Sequence, residues 1–255
     1  MTDSVRMEVN DYICTITIDR PEKRNALNSE ILQELGRTLG EIKPGGDIRV
    51  VVLRGAGEKA FCSGADVGAL VATGEGATML PNALQAVKNC SCPVIAMIYG
   101  FAVGAGCDLA CACDFGIMAD TAKIGINPAK LGLVYFPESI HRIIKLIGPA
   151  NARELFYTGR FFAAQRAKEM GLVNYVVPEN ELHSFTYALA KEIAANAPLS
   201  ISGNKVIINK MLDLKLSDQE MQALYDIQRS SWETDDIQEG VKAFLEKRKP
   251  VFKGK

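Results

Sequence analysis

The stretch Gly100-Phe-Ala-Val-Gly-Ala-Gly-Cys-Asp108 decides the fold prediction, because a strand, a turn and a helix meet in it. It follows Val94-Ile-Ala-Met-Ile98, an apolar run typical of a strand that is buried on both faces. The glycines predict a tight turn, and a helix is predicted from Gly104 to Cys113. Such a construction leaves unpaired backbone N–H groups at the helix N-terminus, where the helix dipole favours an oxygen anion.

A second segment has the same construction. Ala60-Phe-Cys-Ser-Gly-Ala-Asp66 follows the predicted strand Val50-Val-Val-Leu-Arg54. We call Ala60–Asp66 the first glycine turn and Gly100–Asp108 the second glycine turn. Neither has the G-x-x-x-x-G-K-[ST] pattern of a phosphate loop, and Leu109 stands where a dinucleotide fingerprint needs its third glycine. Each turn is able to hold a phosphate, a carboxylate or an oxyanion, unless its glycines serve only tight turning and close packing.

The surrounding sequence alternates strands and helices. Period-2 alternation predicts a strand at Cys14–Ile18, and Phe115–Ala119 is a further apolar strand. Apolar residues at helical spacing predict a helix from Ser29 to Lys43, with Ser29 as its N-cap, and another around Pro81 to Asn89. The chain up to about residue 120 is therefore predicted to be an α/β fold of stacked units with a largely parallel sheet.

Helices dominate the chain beyond Pro149, where only Leu172–Val177 is predicted to be a strand. The C-terminal third is expected to be a helical region that packs against another subunit. The predicted helices are Asn151–Thr158, Ala163–Met170, Glu181–Asn196, Leu199–Leu212, Ser217–Trp232 and Asp236–Lys249.

Composition narrows the class of protein. The 255 residues are 48% hydrophobic with a net charge of −1, which suits a globular chain and gives no overall field that would attract nucleic acid or an anionic membrane. No apolar run of about 18 residues is present and the N-terminus lacks an apolar leader, so we expect a cytoplasmic protein. The seven cysteines lack paired C-x-x-C spacing, so we expect small buried thiols and no metal site.

Three segments together resemble the signature segments of the crotonase (enoyl-CoA hydratase/isomerase) superfamily, in order and in spacing: Arg20-Pro-Glu-Lys-Arg-Asn-Ala-Leu-Asn28, Phe61–Asp66 and Gly100–Asp114. The resemblance extends over nearly the whole chain through Gly125–Gly132, Gly171–Val173 and Phe244–Lys249. It implies a crotonase spiral of β-β-α units as a core over residues 1–195 and a helical C-terminal trimerisation region over residues 196–255. It also implies a homotrimer or a homohexamer.

The resemblance further implies a site for an acyl-coenzyme A thioester. The thioester oxygen would lie between the backbone N–H groups of Ala65 and Ala105, and coenzyme A would enter as part of the substrate, with no separate cofactor. Phe244 and Lys247 of a neighbouring subunit would contribute, the lysine as a mobile charge for a phosphate. The other residues that the resemblance places at the substrate are Arg24, Asn25, Ala26, Ser63, Gly64, Asp66, Gly106, Asn127 and Pro128.

The acid–base residues depart from the family pattern. Hydratases of the family use two glutamates, and these positions fall here on Asp108 and on Pro128, which carries no transferable proton. Glu138 is a candidate substitute for the second glutamate. The segment Asn127–Tyr135 resembles the methylmalonyl-CoA decarboxylase branch instead, which implies that the Tyr135 hydroxyl holds the departing carboxylate.

Decarboxylation of a short malonyl- or methylmalonyl-type thioester is therefore the favoured reaction. When CO2 departs, the electron pair of the broken bond forms the enolate, so no enzymic base is needed. That branch carries histidine at the position of Ala65, whose role is through its backbone. An enoyl-CoA hydratase or an enoyl/dienoyl-CoA isomerase that uses Asp108 is the first alternative. A catalytically inactive CoA-binding or RNA-binding protein is the second, although the net charge gives RNA binding no support.

Overall fold

The computed structural model describes residues 4–66, 76–212 and 218–251. It begins with a hairpin, in which β1 (Val5–Asn10) pairs antiparallel with β2 (Ile13–Ile18). The connecting residues Asp11 and Tyr12 have φ angles of 49° and 65°, which gives the backbone twist that a two-residue hairpin turn needs. The sequence did not predict β1, because only Val5 of this strand is buried and an alternating apolar face is lacking.

The main sheet adds four strands to the hairpin: β3 (Val50–Gly55), β4 (Val94–Ile98), β6 (Phe115–Ala119) and β9 (Tyr175–Val177). The strand order is β1-β2-β3-β4-β6-β9, and every pair from β2 onward is parallel. The predicted parallel sheet is thereby confirmed, although β9 is shorter than the predicted strand. Every residue of β4 is buried, as expected for a central strand that is covered on both faces.

A smaller sheet contains β5 (Phe101–Val103), β7 (Lys123–Gly125) and β8 (Phe162–Ala163) in the order β5-β7-β8. An isolated bridge between Cys62 and Ala102 joins the first glycine turn to β5. Consecutive strands such as β4 and β5 thus lie in different sheets and lead into a helix, which confirms the predicted β-β-α units. The sequence did not predict these strands, because two or three residues are too few to show a period.

The first helix, α1 (Ser29–Glu41), corrects one detail of the prediction. Asn28 is its N-cap, in place of Ser29, and the Asn28 side chain accepts a hydrogen bond of 2.9 Å from the backbone N–H of Ile31. Asparagine offers the same kind of oxygen acceptor as serine, so the helix lies where the sequence predicted it. The next two helices are α2 (Gly76–Asn89) and α3 (Ala105–Ala112), and every residue of α3 is buried.

The long helix α4 (Pro137–Thr158) begins much earlier than the predicted helix Asn151–Thr158. Gly148 has φ 72° and ψ 164°, so a kink divides α4 immediately before Pro149. A glycine followed by a proline hides such a helix from a periodicity search, and only the second half was predicted. The missed first half carries its own signals, which are a proline at the helix start and Ile140, Ile143 and Ile147 at helical spacing.

The remaining helices are α5 (Ala164–Met170), α6 (Leu182–Ala194), α7 (Pro198–Leu212), α8 (Asp218–Ser231) and α9 (Asp235–Leu245). They confirm the helical C-terminal region, although α9 ends four residues before Lys249. Ser217, the predicted first residue of one helix, lies outside the described residues. α9 packs on the segment after Pro128, because a Cβ atom at Gly240 would lie 2.1 Å from the carbonyl oxygen of Leu131.

One expectation from composition, that of small buried cysteines, is confirmed here. The cysteines are free, and all except Cys113 are buried, as predicted for small core residues. Within the described ranges, no three His, Cys, Asp or Glu side chains are grouped closely enough to hold a metal ion. The helices of the same ranges are too short or too polar to cross a bilayer.

Candidate functional site

The backbone N–H of Ala65 lies at the end of the first glycine turn. An isolated parallel bridge joins Ala65 to Leu27, in which Leu27 donates to the Gly64 carbonyl and Asp66 donates to the Leu27 carbonyl, each at 2.8 Å. Successive N–H groups of an extended segment point to opposite sides. The N–H of Ala65 therefore points away from Leu27 and stays available on the opposite side of the turn.

The backbone N–H of Ala105 is available for a different reason. Ala105 is the first residue of α3, and an α-helix has no internal acceptor for its first N–H groups. The preceding Gly104 has φ 55° and ψ −119°, and its own N–H donates to the Gly125 carbonyl at 2.8 Å. The partial positive charge of the helix N-terminus adds to the donor strength of Ala105.

The two glycine turns lie directly against each other. Cys62 donates to the Phe101 carbonyl at 3.1 Å, and Val103 donates back to the Cys62 carbonyl at 2.9 Å. A Cβ atom at Gly64, whose φ is 110°, would lie 2.9 Å from the Val103 carbonyl oxygen and 3.8 Å from the Ala105 nitrogen. Because Gly64 immediately precedes Ala65, the two predicted donors occupy neighbouring positions.

Gly106 serves the packing of α3 against the first glycine turn. A Cβ atom there would lie 2.3 Å from the Cys62 carbonyl oxygen. Contact of Gly106 with a substrate stays a prediction.

Asp108 lies in the first turn of α3 and is fully buried. Its Oδ1 accepts two hydrogen bonds from Arg142 of α4, one of 2.9 Å from Nη2 and one of 3.2 Å from Nε. Among the described residues its Oδ2 has no hydrogen-bond partner, although it is buried. Asp108 is thus a carboxylate with one oxygen bound to a guanidinium and one oxygen available.

Arg142 was not among the predicted site residues. Its side chain is only 18% exposed, and its Nη2 also donates to Ser139 Oγ at 3.3 Å. Burial alone would lower the pKa of Arg142, but the attraction and hydrogen bonding of Asp108 outweigh burial and raise it. The residue therefore stays charged. It was missed because the half of α4 that carries it was missed.

Tyr135 lies just before α4, with its ring edge-on to Phe136 and tilted against Phe156, both at 5.8 Å between ring centroids. Its hydroxyl is buried and makes no hydrogen bond of ordinary length and angle within the described part of the chain, although it lies near the Asp108 carboxylate. Burial above all raises the pKa of Tyr135 well above its ordinary value, and the charge of Asp108 and a weak hydrogen-bond contact with it raise this pKa further. Tyr135 is therefore a neutral phenol that is able to donate a hydrogen bond to an anion.

Asn127 lies beside Gly104, which immediately precedes α3. The Asn127 Oδ1 atom is 3.7 Å from the position of a Cβ atom at Gly104. Pro128 is buried and begins a short 3-10 turn, Pro128–Lys130. Glu138, the candidate substitute for a second glutamate, has a buried Oε2 without a hydrogen-bond partner among the described residues. Among the described residues no hydrogen bond or ion pair joins Glu138 to Asp108, so the substitution stays a prediction.

The predicted coenzyme A segments Arg24–Ala26 and Ser63–Asp66 lie side by side. The Ser63 N–H donates to the Arg24 carbonyl at 3.0 Å, and Arg20 Nη2 contacts Asp66 Oδ2 at 3.2 Å. Asn25 is fully buried, and its Nδ2 donates to the carbonyls of Ala56 at 3.0 Å and Ala60 at 2.7 Å. Its side chain therefore holds the backbone in place and does not face a ligand.

A cavity of about 300 Å³ opens beside the exposed Arg24 and is lined by the segments 21–25 and 56–60. Phe244 and Lys247 lie near the end of α9, and both side chains are exposed. In a single chain α9 packs on its own segment 131–132. The contribution of these two residues to a neighbouring subunit's site stays a prediction.

Comparisons with known proteins agree over the whole length of the chain. A sequence model of the family described as enoyl-CoA hydratase/isomerase matches residues 8–255. The short-chain-enoyl-CoA hydratase of Clostridium acetobutylicum is 33% identical over 252 residues, which are 97% of this chain and 96% of that protein.

For two solved structures, the order of sequence identity with this chain is the reverse of the order of structural similarity. The enoyl-CoA hydratase of Bacillus anthracis is 34% identical, with 99% of this chain and 100% of that chain covered, and superposes with a TM-score of 0.78. A methylmalonyl-CoA decarboxylase in complex with 2-nitronate-propionyl-CoA is 29% identical, with 100% of both chains covered, and has a TM-score of 0.92. The less similar sequence has the more similar structure.

Proposed function

This chain belongs to the enoyl-CoA hydratase/isomerase (crotonase) family of coenzyme A thioester enzymes, and we propose that it decarboxylates a short malonyl- or methylmalonyl-type thioester. In this reaction the bond between Cα and the carboxylate breaks and CO2 leaves. The electron pair passes into the thioester enolate, and a proton is then added at Cα. The charge that the protein has to stabilise is the one on the thioester oxygen.

The N–H groups of Ala65 and Ala105 are the proposed ligands of that oxygen. Both are backbone donors held in place by neighbouring hydrogen bonds, so they need no reorganisation when the charge develops. Loss of one such donor typically costs about 2.7–4 kcal/mol of transition-state stabilisation. The positive end of α3 supports the same charge.

The buried Tyr135 hydroxyl is the observation that carries decarboxylation in preference to hydration. A buried hydroxyl without a partner costs about 1–3 kcal/mol unless a ligand satisfies it. A substrate carboxylate beside Asp108 would accept its hydrogen bond. Pro128 supports this proposal, because a buried proline at the position of the second glutamate adds neither a base nor a negative charge. The TM-score of 0.92 with a decarboxylase points in the same direction.

Release of CO2 tests the proposal directly. Purified protein is incubated with methylmalonyl-CoA and, separately, with malonyl-CoA, and the acyl product is followed by mass spectrometry. We expect propionyl-CoA or acetyl-CoA to form with equimolar CO2. Absence of both products at enzyme concentrations that bind the thioester would overturn the proposal.

The oxygen-binding role of the N–H groups is tested by Ala105→Pro. Proline is well tolerated at the first position of a helix, where it removes the N–H and places its ring Cδ in the position of the hydrogen. We expect turnover to fall about 100-fold or more, from the cost of a lost oxyanion donor. The matched control is Ala164→Pro at the first position of α5, which should retain turnover. Equal activity of Ala105→Pro and the parent protein would exclude this donor.

Hydration or isomerisation of an enoyl thioester is the second candidate, favoured by the unpartnered Oδ2 of Asp108. A buried carboxylate oxygen with no partner suits proton transfer. Here we expect the parent protein to hydrate crotonyl-CoA and Asp108→Asn to lose at least 100-fold in kcat, in the range of general acid–base catalysis. Unchanged hydration in Asp108→Asn would remove this candidate.

A homotrimer or homohexamer, with coenzyme A bound along Arg24–Ala26 and Ser63–Asp66, is part of the same proposal. Exposed apolar side chains on one helix support a further subunit contact: Leu199, Val206, Ile207, Ile208, Met211 and Leu212 of α7. Sedimentation of the full chain at micromolar concentration measures the assembly. A monomer at these concentrations would contradict it.

A further inference from the structure

The ion pair between Asp108 and Arg142 determines which charge the proposed acyl pocket, beside Asp108 and Tyr135, is able to accept. A buried carboxylate repels a second carboxylate strongly, because the low dielectric of the interior does not screen it. Asp108 is fully buried, so alone it would exclude an acyl group that carries its own negative charge. Arg142 cancels that charge from 2.9 Å away.

We propose that Arg142 is a specificity-determining residue, which makes the pocket electrically neutral and so admits an acyl group with a free carboxylate. The ligand class is a coenzyme A derivative with an anionic acyl group of three or four carbons. The inference rests on the proposed function for the location of the acyl group beside Tyr135 and Asp108. It goes beyond that function by naming the residue that selects the charge of the acyl group.

The arrangement of donors supports this role. Both hydrogen bonds that Arg142 donates to Asp108 go to Oδ1, while Oδ2 of Asp108 and the hydroxyl of Tyr135 have no hydrogen-bond partner of ordinary geometry among the described residues. The guanidinium is thus fixed on the side of Asp108 that does not carry the available oxygen. Arg142 therefore compensates the charge of Asp108 through Oδ1 and leaves Oδ2 available.

The other groups that face Asp108 do not supply a positive charge. Tyr135 is a neutral phenol, and Cys107 is a buried thiol whose pKa burial raises well above its ordinary value. Cys111 lies one turn further along α3 and is free and buried. Arg142 is therefore the cation on which neutrality of this pocket depends, within the described part of the chain.

The test measures binding of two unreactive ligands that differ only in charge. These are 2-carboxypropyl-CoA and isobutyl-CoA, thioethers of equal carbon framework in which a carboxylate replaces a methyl group. Isothermal titration calorimetry gives the Kd of each for the parent protein and for charge variants. Since neither ligand reacts, the result does not depend on which reaction the protein catalyses.

Opposite changes are expected for the two partners of the ion pair. Arg142→Gln should weaken the binding of 2-carboxypropyl-CoA at least tenfold and change the Kd of isobutyl-CoA less than twofold. Asp108→Asn should leave the charge of Arg142 uncompensated and strengthen the binding of 2-carboxypropyl-CoA at least threefold. The Kd of isobutyl-CoA should again be unchanged. The double variant Asp108→Asn with Arg142→Gln restores neutrality and should bind both ligands within threefold of the parent protein.

A merely structural role of Arg142 predicts something different. In that case Arg142→Gln would weaken both ligands equally, and Asp108→Asn would not tighten either, which would overturn the inference. If Arg142→Gln does not fold, Asp108→Asn and the double variant decide the question alone, with Arg142→Lys expected to retain the preference for the anionic ligand. If the parent protein releases no CO2 but the Kd values of the two ligands change in the variants as expected, the proposed reaction is refuted and this inference stands.

Discussion

Lys205 of α7 donates a hydrogen bond of 2.6 Å from Nζ to Oδ2 of Asp114, the residue that immediately precedes β6. The same Lys205 ammonium donates to the Cys92 carbonyl at 3.0 Å, and the same Asp114 oxygen accepts from the Val94 N–H at 2.7 Å. One buried lysine thus joins α7 to the beginnings of two neighbouring strands of the main sheet. The helical C-terminal region is fixed to the core at this point.

Replacement of this lysine should measurably destabilise the chain. In Lys205→Met, Asp114 loses its charge partner and the Cys92 carbonyl loses a donor. Because Asp114 is 27% exposed, water compensates in part, and we expect the free energy of unfolding to fall by about 2 kcal/mol, less than for a fully buried pair. Urea unfolding measures the change. Lys210→Met on the exposed side of α7 is the control and should change it by less than about 0.5 kcal/mol.

A methyl group at Gly106 should separate the two glycine turns. In Gly106→Ala the new Cβ would lie 2.3 Å from the Cys62 carbonyl oxygen, so the backbone of one turn has to move. We expect a loss of about 1–3 kcal/mol in unfolding free energy, as for other overpacked sites, together with a loss of turnover. Gly203→Ala in α7 meets no atom within 4 Å and should stabilise the chain slightly. Retained turnover in Gly106→Ala would contradict a close approach of the two turns.

Removal of the Tyr135 hydroxyl should separate catalysis from stability. Tyr135→Phe keeps the aromatic packing on Phe136 and Phe156 and removes a buried oxygen that has no partner in the described chain. We expect the rate of CO2 release to fall at least tenfold, while the melting temperature stays equal or rises. Tyr157→Phe, at a side chain that is 75% exposed, is the control for both measurements. A lower melting temperature with unchanged CO2 release would assign Tyr135 to the core alone.

The residues after α9 should respond to acid. Arg248 binds both carboxylate oxygens of Glu239, at 2.6 and 2.8 Å, and the Val251 N–H donates to the same carboxylate. The Arg248 hydrogen bond above all, with that of Val251, lowers the pKa of Glu239 to about 2. A carboxyl pKa that is lower in the folded chain stabilises the fold above the unfolded pKa of about 4.3 and loses this effect as the pH falls towards 2.

We therefore expect residues 246–251 to release from α9 between about pH 4.3 and pH 2. An NMR titration of the Glu239 carboxyl resonance measures the midpoint directly. Arg248→Ala should move that midpoint upward, towards the value of an unperturbed glutamate. Equal midpoints in the parent protein and in Arg248→Ala would show that the pair does not form in solution.

The fold could be predicted from this sequence because its glycines and apolar runs are local signals. Gly104 and the strand before it were enough to place α3, and the family resemblance supplied the arrangement of the units. The first half of α4 escaped because Gly148 and Pro149 interrupt its pattern, and Arg142 escaped with it. Its pairing with Asp108 joins residues 34 positions apart, and no local signal contains such a contact.

The N-cap error at Ser29 has a similar origin. Asn28 and Ser29 are adjacent and both are good capping residues, so composition alone does not choose between them. The strand β1 was missed because it pairs through its backbone while its side chains, except that of Val5, are exposed. Propensity and periodicity describe residue types, whereas β1 depends on backbone hydrogen bonds and the cap depends on which of two adjacent side chains reaches the Ile31 N–H.

The bridge between Leu27 and Ala65 makes the site sensitive to chain length and indifferent to the side chain at 65. An insertion of one residue that shifts this segment by one place against Leu27 would turn the N–H of Ala65 towards Leu27 and move the shifted side chains to the opposite face. Substituting Ala65 changes one side chain, whereas shifting it by one place turns its N–H away from the proposed oxygen site.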